Sequence, residues 1–236
     1  MNGFDLSISS FINGFAHRSL RFDELIVWIS NSNLLKGGVV IGLIWWLWFP
    51  DEDVRRKREA LLAAMIASFP ALVFAWILSR IISRPRPLSE ATQFLFRVPY
   101  GLKATGWVSA GSFPSDHAVL FFALATGILF ASRRAGWFTF VYVSIIICLP
   151  RLYVGAHYTT DILGGAAIGI SMAWLANRRA IRNSLTSWAL RSMDAKPGEF
   201  YCFSFLVTYL MADLFEPLLS LLKVANLIIH GRLFTV

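Results

Sequence analysis

The sequence predicts an all-α fold: a bundle of about six membrane-spanning helices preceded by an amphipathic N-terminal helix. Three observations carry that expectation. Hydrophobic residues make up 56% of the 236 positions and charged residues 15%, where a soluble domain carries about 25% charged residues. Long stretches such as 60–78 and 118–131 contain no charge at all, as segments that cross lipid require. Nine Trp and twenty Phe suit lipid and interface contacts.

Residues 4–30 are amphipathic rather than uniformly apolar. Phe4, Ile8, Phe11, Ile12 and Phe15 recur at helical spacing, interrupted by Asp5, His17, Arg18, Arg21, Asp23 and Glu24. Such a pattern predicts helices lying at the interface or against the bundle. Six spans follow: 34–50, 60–78 with a kink at Pro70, 118–131, 137–150, 162–176 and 200–222. Gly164, Gly165 and Gly169 in the fifth predict close helix packing. Residues 177–199 read as a loop, and the stretch 83–113, longer than a plain connection, as a lid or entry loop. The whole chain 1–236 reads as one domain. Cys148 and Cys202 lie inside apolar runs and are expected to be small buried residues. His17 and His230 stand alone and read as interfacial. No cleavable signal peptide is expected from the first residues.

The net charge of +8 does not point to nucleic acid, because the basic residues sit in short loops between spans. Arg55–Arg58, Arg133–Arg134, and Arg178, Arg179, Arg182, Arg191 and Lys196 all fall on one side if the spans alternate. The positive-inside rule makes that side cytoplasmic. Arg84–Arg86, Ser115–His117 and Arg151–Asp161 then emerge together on the opposite, outer face.

That convergence suggests chemistry. His157 and Asp161 are four residues apart, a spacing that on a helix gives one face and hydrogen-bond reach. A carboxylate on one ring nitrogen leaves the other free as a nucleophile or base. Arg151, Arg86 and Arg84 offer planar forks for phosphate oxygens, and Ser115 is placed to cap a helix whose N–H groups face an anion. One histidine, fixed by Asp161, would attack phosphorus while His117 protonates the leaving oxygen. No carboxylate cluster stands ready for magnesium, so a metal-free route with no cofactor is expected. Each piece has a plainer reading, since Arg-Pro pairs end helices, Ser-x-His caps them, and interfacial arginines meet lipid headgroups. Their joint arrival on one membrane face favours catalysis.

The motifs resemble those of the type 2 phosphatidic acid phosphatase superfamily, K-x6-R-P, P-S-G-H and S-R-x5-H-x3-D, across a core of 79–161. The third is Pro150-Arg151, His157 and Asp161, with its leading serine replaced. The second is Pro114-Ser115-Asp116-His117. The first is Arg86-Pro87, with Ser79 at the lysine position and Arg80 one residue later as its candidate substitute. The resemblance implies a six-helix membrane fold, a phosphohistidine on His157, acid catalysis by His117 and phosphate binding by Arg86, Ser115 and Arg151. Arg80, Arg84 and Asp116 are further candidates to face the substrate. Asp116 in place of glycine is tolerable beside an anion only if it turns away to cap or to pair with an arginine.

The run S-F-P-S-D-H, with F-I-N-G-F-A and F-D-E-L near the N-terminus, is similar to bacterial undecaprenyl-diphosphate phosphatases. It implies a polyprenyl diphosphate substrate, met on the outer face of the bacterial inner membrane. Phosphatidate, phosphatidylglycerophosphate or a lipid A phosphate are alternative substrates. A non-catalytic lipid-phosphate binder or transporter would not need the paired histidines.

Overall fold

The computed structural model of the protein describes residues 3–49, 53–89, 96–102 and 111–215; their regular secondary structure is helical, with no strand among the described residues. Two short helices open the chain, α1 (Gly3–Asn13) and α2 (Leu20–Asn31, capped by Ser19). Their amphipathicity is turned inside out relative to a soluble protein. Helix α1 buries Asp5, Ser9 and Asn13 and exposes Phe4 and Phe11. Helix α2 buries Asp23 and exposes Leu25 and Trp28. In an apolar solvent the polar face must find partners inside the protein.

Helix α3 (Leu34–Trp48), the counterpart of the expected span 34–50, is long and apolar enough to cross a membrane only together with α2, from which it is bent by 60°. It starts with a π-helical turn over Leu34–Gly38. Helix α4 (Val54–Ile82) carries Pro70 inside it. It stops where Arg84 and Arg86 precede prolines, since a residue before proline is pushed out of the helical region. Helix α5 (Asp116–Ala131) is capped by Ser115, whose hydroxyl accepts from Ala118 N–H at 3.4 Å. Helix α6 (Arg133–Tyr153) contains a π-helical stretch, Val143–Cys148, just before Pro150. Helix α7 spans Thr159–Ala176, and α9 spans Pro197–Ala212. By length and composition α4, α6 and α7 can cross a membrane, a fourth crossing being the bent α2–α3 pair, and α5 is a shorter apolar helix. The end of the expected sixth span, beyond residue 215, lies outside the described residues, as do His230 and parts of the expected lid, 90–95 and 103–110.

One stretch differs from the sequence expectation outright. Residues 177–199, expected as a loop, contain helix α8 (Arg179–Ala195). Thr186, Ala189 and Leu190 bury one side while arginines occupy the other, so dense charge hid a helical stripe. Cys202 is exposed on α9 rather than buried, whereas Cys148 is buried; both are free thiols.

Helix α5 is the centre of the bundle, buried from His117 through Ile128. Helix α7 lies against it through Gly165 and Gly169, where an added Cβ would collide with the carbonyl oxygens of Ser115 and Val119. This approach brings the two helix starts into contact, and Ser115 N–H donates to Asp161 C=O at 3.0 Å.

Candidate active site

The site lies where the start of α5, the end of α6, the start of α7 and the segment after α4 meet. After α6 the chain reverses at Gly155, in the left-handed region at φ 72°, with Ala156 N–H bonded to Arg151 C=O at 3.0 Å. Glycine adopts that conformation without a Cβ penalty. The turn leaves Arg151 and His157 as neighbours in space, 6% and 3% exposed.

His157 precedes α7 rather than sitting on it, so the expected helical pairing with Asp161 does not form. Its Nδ1 is 2.8 Å from the Ser112 carbonyl oxygen and 3.9 Å from Asp161 Oδ2. A carbonyl can only accept, so the ring carries its proton on Nδ1 and its Nε2 lone pair is bare. Burial first, and the nearby Arg86 guanidinium second, push the His157 pKa down to about 3. It is therefore uncharged across the physiological range.

His117 stands opposite. Arg151 donates to its Nε2 at 2.7 Å, which puts its proton on Nδ1, 3.0 Å from Asp116 Oδ1. Asp116 also accepts from the His117 backbone N–H at 2.8 Å, and the same Oδ1 lies 4.0 Å from His157 Nε2. The Asp116 carboxylate thus takes a backbone N–H of the first turn of α5 and bridges the two histidines, rather than pairing with an arginine. Arg86 reaches the loop before His157, donating to Ala156 C=O at 3.2 Å, and burial lowers its pKa.

Asp161 serves the scaffold. Its Oδ2 accepts from Tyr158 N–H at 2.7 Å, capping α7, and its Oδ1 from Arg84 at 2.7 Å. Arg84 also holds Asp5 at 2.6 Å, donates to the Thr160 hydroxyl at 2.8 Å and stacks over Tyr158 at 4.1 Å. Its fork is committed to carboxylates, so the expectation that it faces substrate gives way to a role holding the scaffold. Burial works against the charge on Asp5, yet hydrogen bonds from Arg84 and Thr160 carry its pKa below the ordinary value. Arg80 is exposed and lies over the Trp76 ring at 4.7 Å, and the structure does not bring it into this group.

The structure thus brings together Arg86, Ser115, Asp116, His117, Arg151, His157 and Asp161. Ser112 and Asp5 were missed by sequence reasoning. Ser112 opens the S-F-P-S-D-H run, but it holds His157 through its main-chain carbonyl, a role that residue type does not announce, whereas Asp5, an acid on an apolar-patterned helix, was a visible anomaly. Among the described residues no group of three or more His, Cys, Asp or Glu is disposed to hold a metal ion.

A family model described as the PAP2 superfamily matches residues 56–184. The undecaprenyl-diphosphatase BcrC of Bacillus subtilis is 26% identical over 164 residues, covering 70% of this chain and 78% of that protein. The putative undecaprenyl-diphosphatase YbjG of Escherichia coli is 23% identical over 194 residues, covering 80% and 91%. A lipid A 1-phosphatase of Rhizobium etli is 33% identical over 129 residues, covering 50% and 52%.

Proposed function

This chain belongs to the PAP2 superfamily, and from that premise we propose that it hydrolyses undecaprenyl diphosphate to undecaprenyl phosphate and inorganic phosphate. The coarser statement stands on the family and its relatives: the protein is a multi-pass membrane protein and a phosphatase. The observation that carries the phosphoryl-transfer reading is the bare Nε2 of a buried, neutral His157, anchored by Ser112 and linked to His117 through Asp116 Oδ1; the choice of lipid is supported by the undecaprenyl-diphosphatase relatives.

In the proposed reaction Arg86, Arg151 and the N–H groups at the start of α5 bind the terminal phosphate and its developing charge. His157 Nε2 attacks phosphorus, forming the N–P bond as the P–O bond to the lipid phosphate breaks. His117 gives that oxygen its proton. Water, deprotonated by His117, then attacks phosphorus, the N–P bond breaks, and phosphate leaves. Asp161 and Arg84 hold the frame. No step needs a metal ion. The site works on the extracytoplasmic face of the inner membrane, a placement supported by the basic loops at the other end of the bundle.

Phosphate release from purified protein in detergent, with chelator, tests the reading against undecaprenyl diphosphate, phosphatidate, phosphatidylglycerophosphate and lipid A. Turnover is expected to be fastest on the polyprenyl diphosphate and unaffected by chelator. Preference for lipid A would transfer the assignment to the activity named for the Rhizobium relative. Loss with chelator, restored by magnesium, would refute the metal-free route.

A further inference from the structure

The feature that the proposed reaction leaves unused is the carboxylate between the two histidines. An imidazole whose Nε2 accepts from an arginine is neutral and has no proton to give from that nitrogen. To act as an acid, His117 must become an imidazolium, its Nε2 taking up a proton from solvent or from the protonated diphosphate once the substrate has drawn the Arg151 fork away. The charged groups facing His117 are Arg151 from α6 and Lys36 from α3, both cationic, and Asp116. His157 and Arg86 face it across Asp116. A cationic ring among these arginines and Lys36 is disfavoured unless an anion offsets them. Asp116 Oδ1 supplies that anion, 3.0 Å from Nδ1 and also bonded to the residue's own N–H.

We propose that Asp116 is a positioning residue that makes His117 a competent acid. Its carboxylate holds the proton on Nδ1, orients Nε2 toward the leaving oxygen and stabilises the imidazolium. The inference rests on the reading of His117 as the acid. The step balances simply: the Nε2 proton passes to the leaving oxygen as the P–O bond breaks, and His117 returns to the neutral ring held by Asp116. A carboxylate behind an imidazole has this effect in other acid–base sites.

The test measures kcat against pH, which reports groups of the bound complex, for the unaltered protein, Asp116→Asn, Asp116→Gly and His117→Ala. Two substrates are used: undecaprenyl diphosphate, whose leaving oxygen needs a proton, and p-nitrophenyl phosphate, whose leaving group needs little. With Asp116→Asn the basic limb on the lipid is expected to move about one unit lower in pH. The loss should exceed tenfold on the lipid and stay within about threefold on the aryl ester. Asp116→Gly should repeat that split, and Asn, nearly isosteric, keeps the test alive if Gly does not fold. An unmoved basic limb with equal losses on both substrates would overturn the proposal. His117→Ala separates the two ideas. If it spares the aryl ester while Asp116→Asn does not discriminate, only the role of Asp116 falls. If His117→Ala hits both substrates alike, the acid assignment fails and takes this proposal with it.

Discussion

A single carbonyl oxygen determines what His157 can do. Ser112 C=O accepts a hydrogen bond from Nδ1–H and leaves Nε2 bare, while burial and Arg86 keep the ring neutral down to about pH 3. The sequence made His157, His117 and Arg151 legible because their chemistry resides in side chains at telling spacings. It assigned the wrong partner to His157 because four-residue spacing implies contact only inside a helix, and α7 begins at Thr159. Arg84 misled for a related reason: a guanidinium suits phosphate and carboxylate equally, and Asp5 lies 79 positions away in sequence. The depressed pKa has a consequence for stability. Between about pH 3 and the ordinary histidine value of 6.5, the unfolded chain binds a proton that the folded His157 refuses. This group's contribution is therefore complete above pH 6.5 and declines as the solution is acidified. The unfolding temperature should fall from pH 7 to pH 4.5, and the slope should be shallower in His157→Gln. An identical slope in the variant would mean that His157 is not held neutral.

At the scale of elements, the N-terminal helices pack against the end of the bundle that carries the candidate site. They join it through buried acids. Asp5, fully buried, accepts from Thr160 N–H at 2.9 Å and its hydroxyl at 2.6 Å, as well as from Arg84. Asp23 accepts from the Tyr153 hydroxyl and from the N–H groups of His17 and Tyr100. Asn13 makes two 2.7 Å bonds with the Arg97 main chain, and the exposed His17 ring contacts Val98 C=O at 2.6 Å. Hydrophobic periodicity revealed both helices but not which face turns inward, because lipid reverses the usual rule. The same periodicity was masked by arginines in α8. Removing one partner from a buried ion pair leaves an uncompensated charge, typically at a cost of about 3–5 kcal/mol. Asp5→Ala should destabilise the protein by about 3 kcal/mol in denaturant unfolding. Adding Arg84→Ala should then cost less than it does in the unaltered protein. A loss under about 1 kcal/mol would show that α1 is not fastened through Asp5.

For the whole molecule, three motifs separated along the chain meet at one end of a bundle whose other end carries the dense arginine clusters. Close packing of α7 on α5 through Gly165 and Gly169 produces that meeting. The span assignment and loop charges made the convergence readable before any coordinates, since alternation alone puts the motifs on one face. The bend between α2 and α3 was not readable, because the amphipathic α2 and the apolar α3 read as separate elements. The central claim is that this convergence builds one phosphoryl-transfer site with His157 as nucleophile. The most direct measurement is rapid quenching of the protein with undecaprenyl diphosphate labelled in the terminal phosphate, followed by peptide mapping of any phosphoenzyme. An acid-labile, base-stable label is expected on His157, absent from His157→Ala and accumulating when its hydrolysis is slowed. A label on any other residue, or a phosphoenzyme that persists in His157→Ala, would contradict that claim.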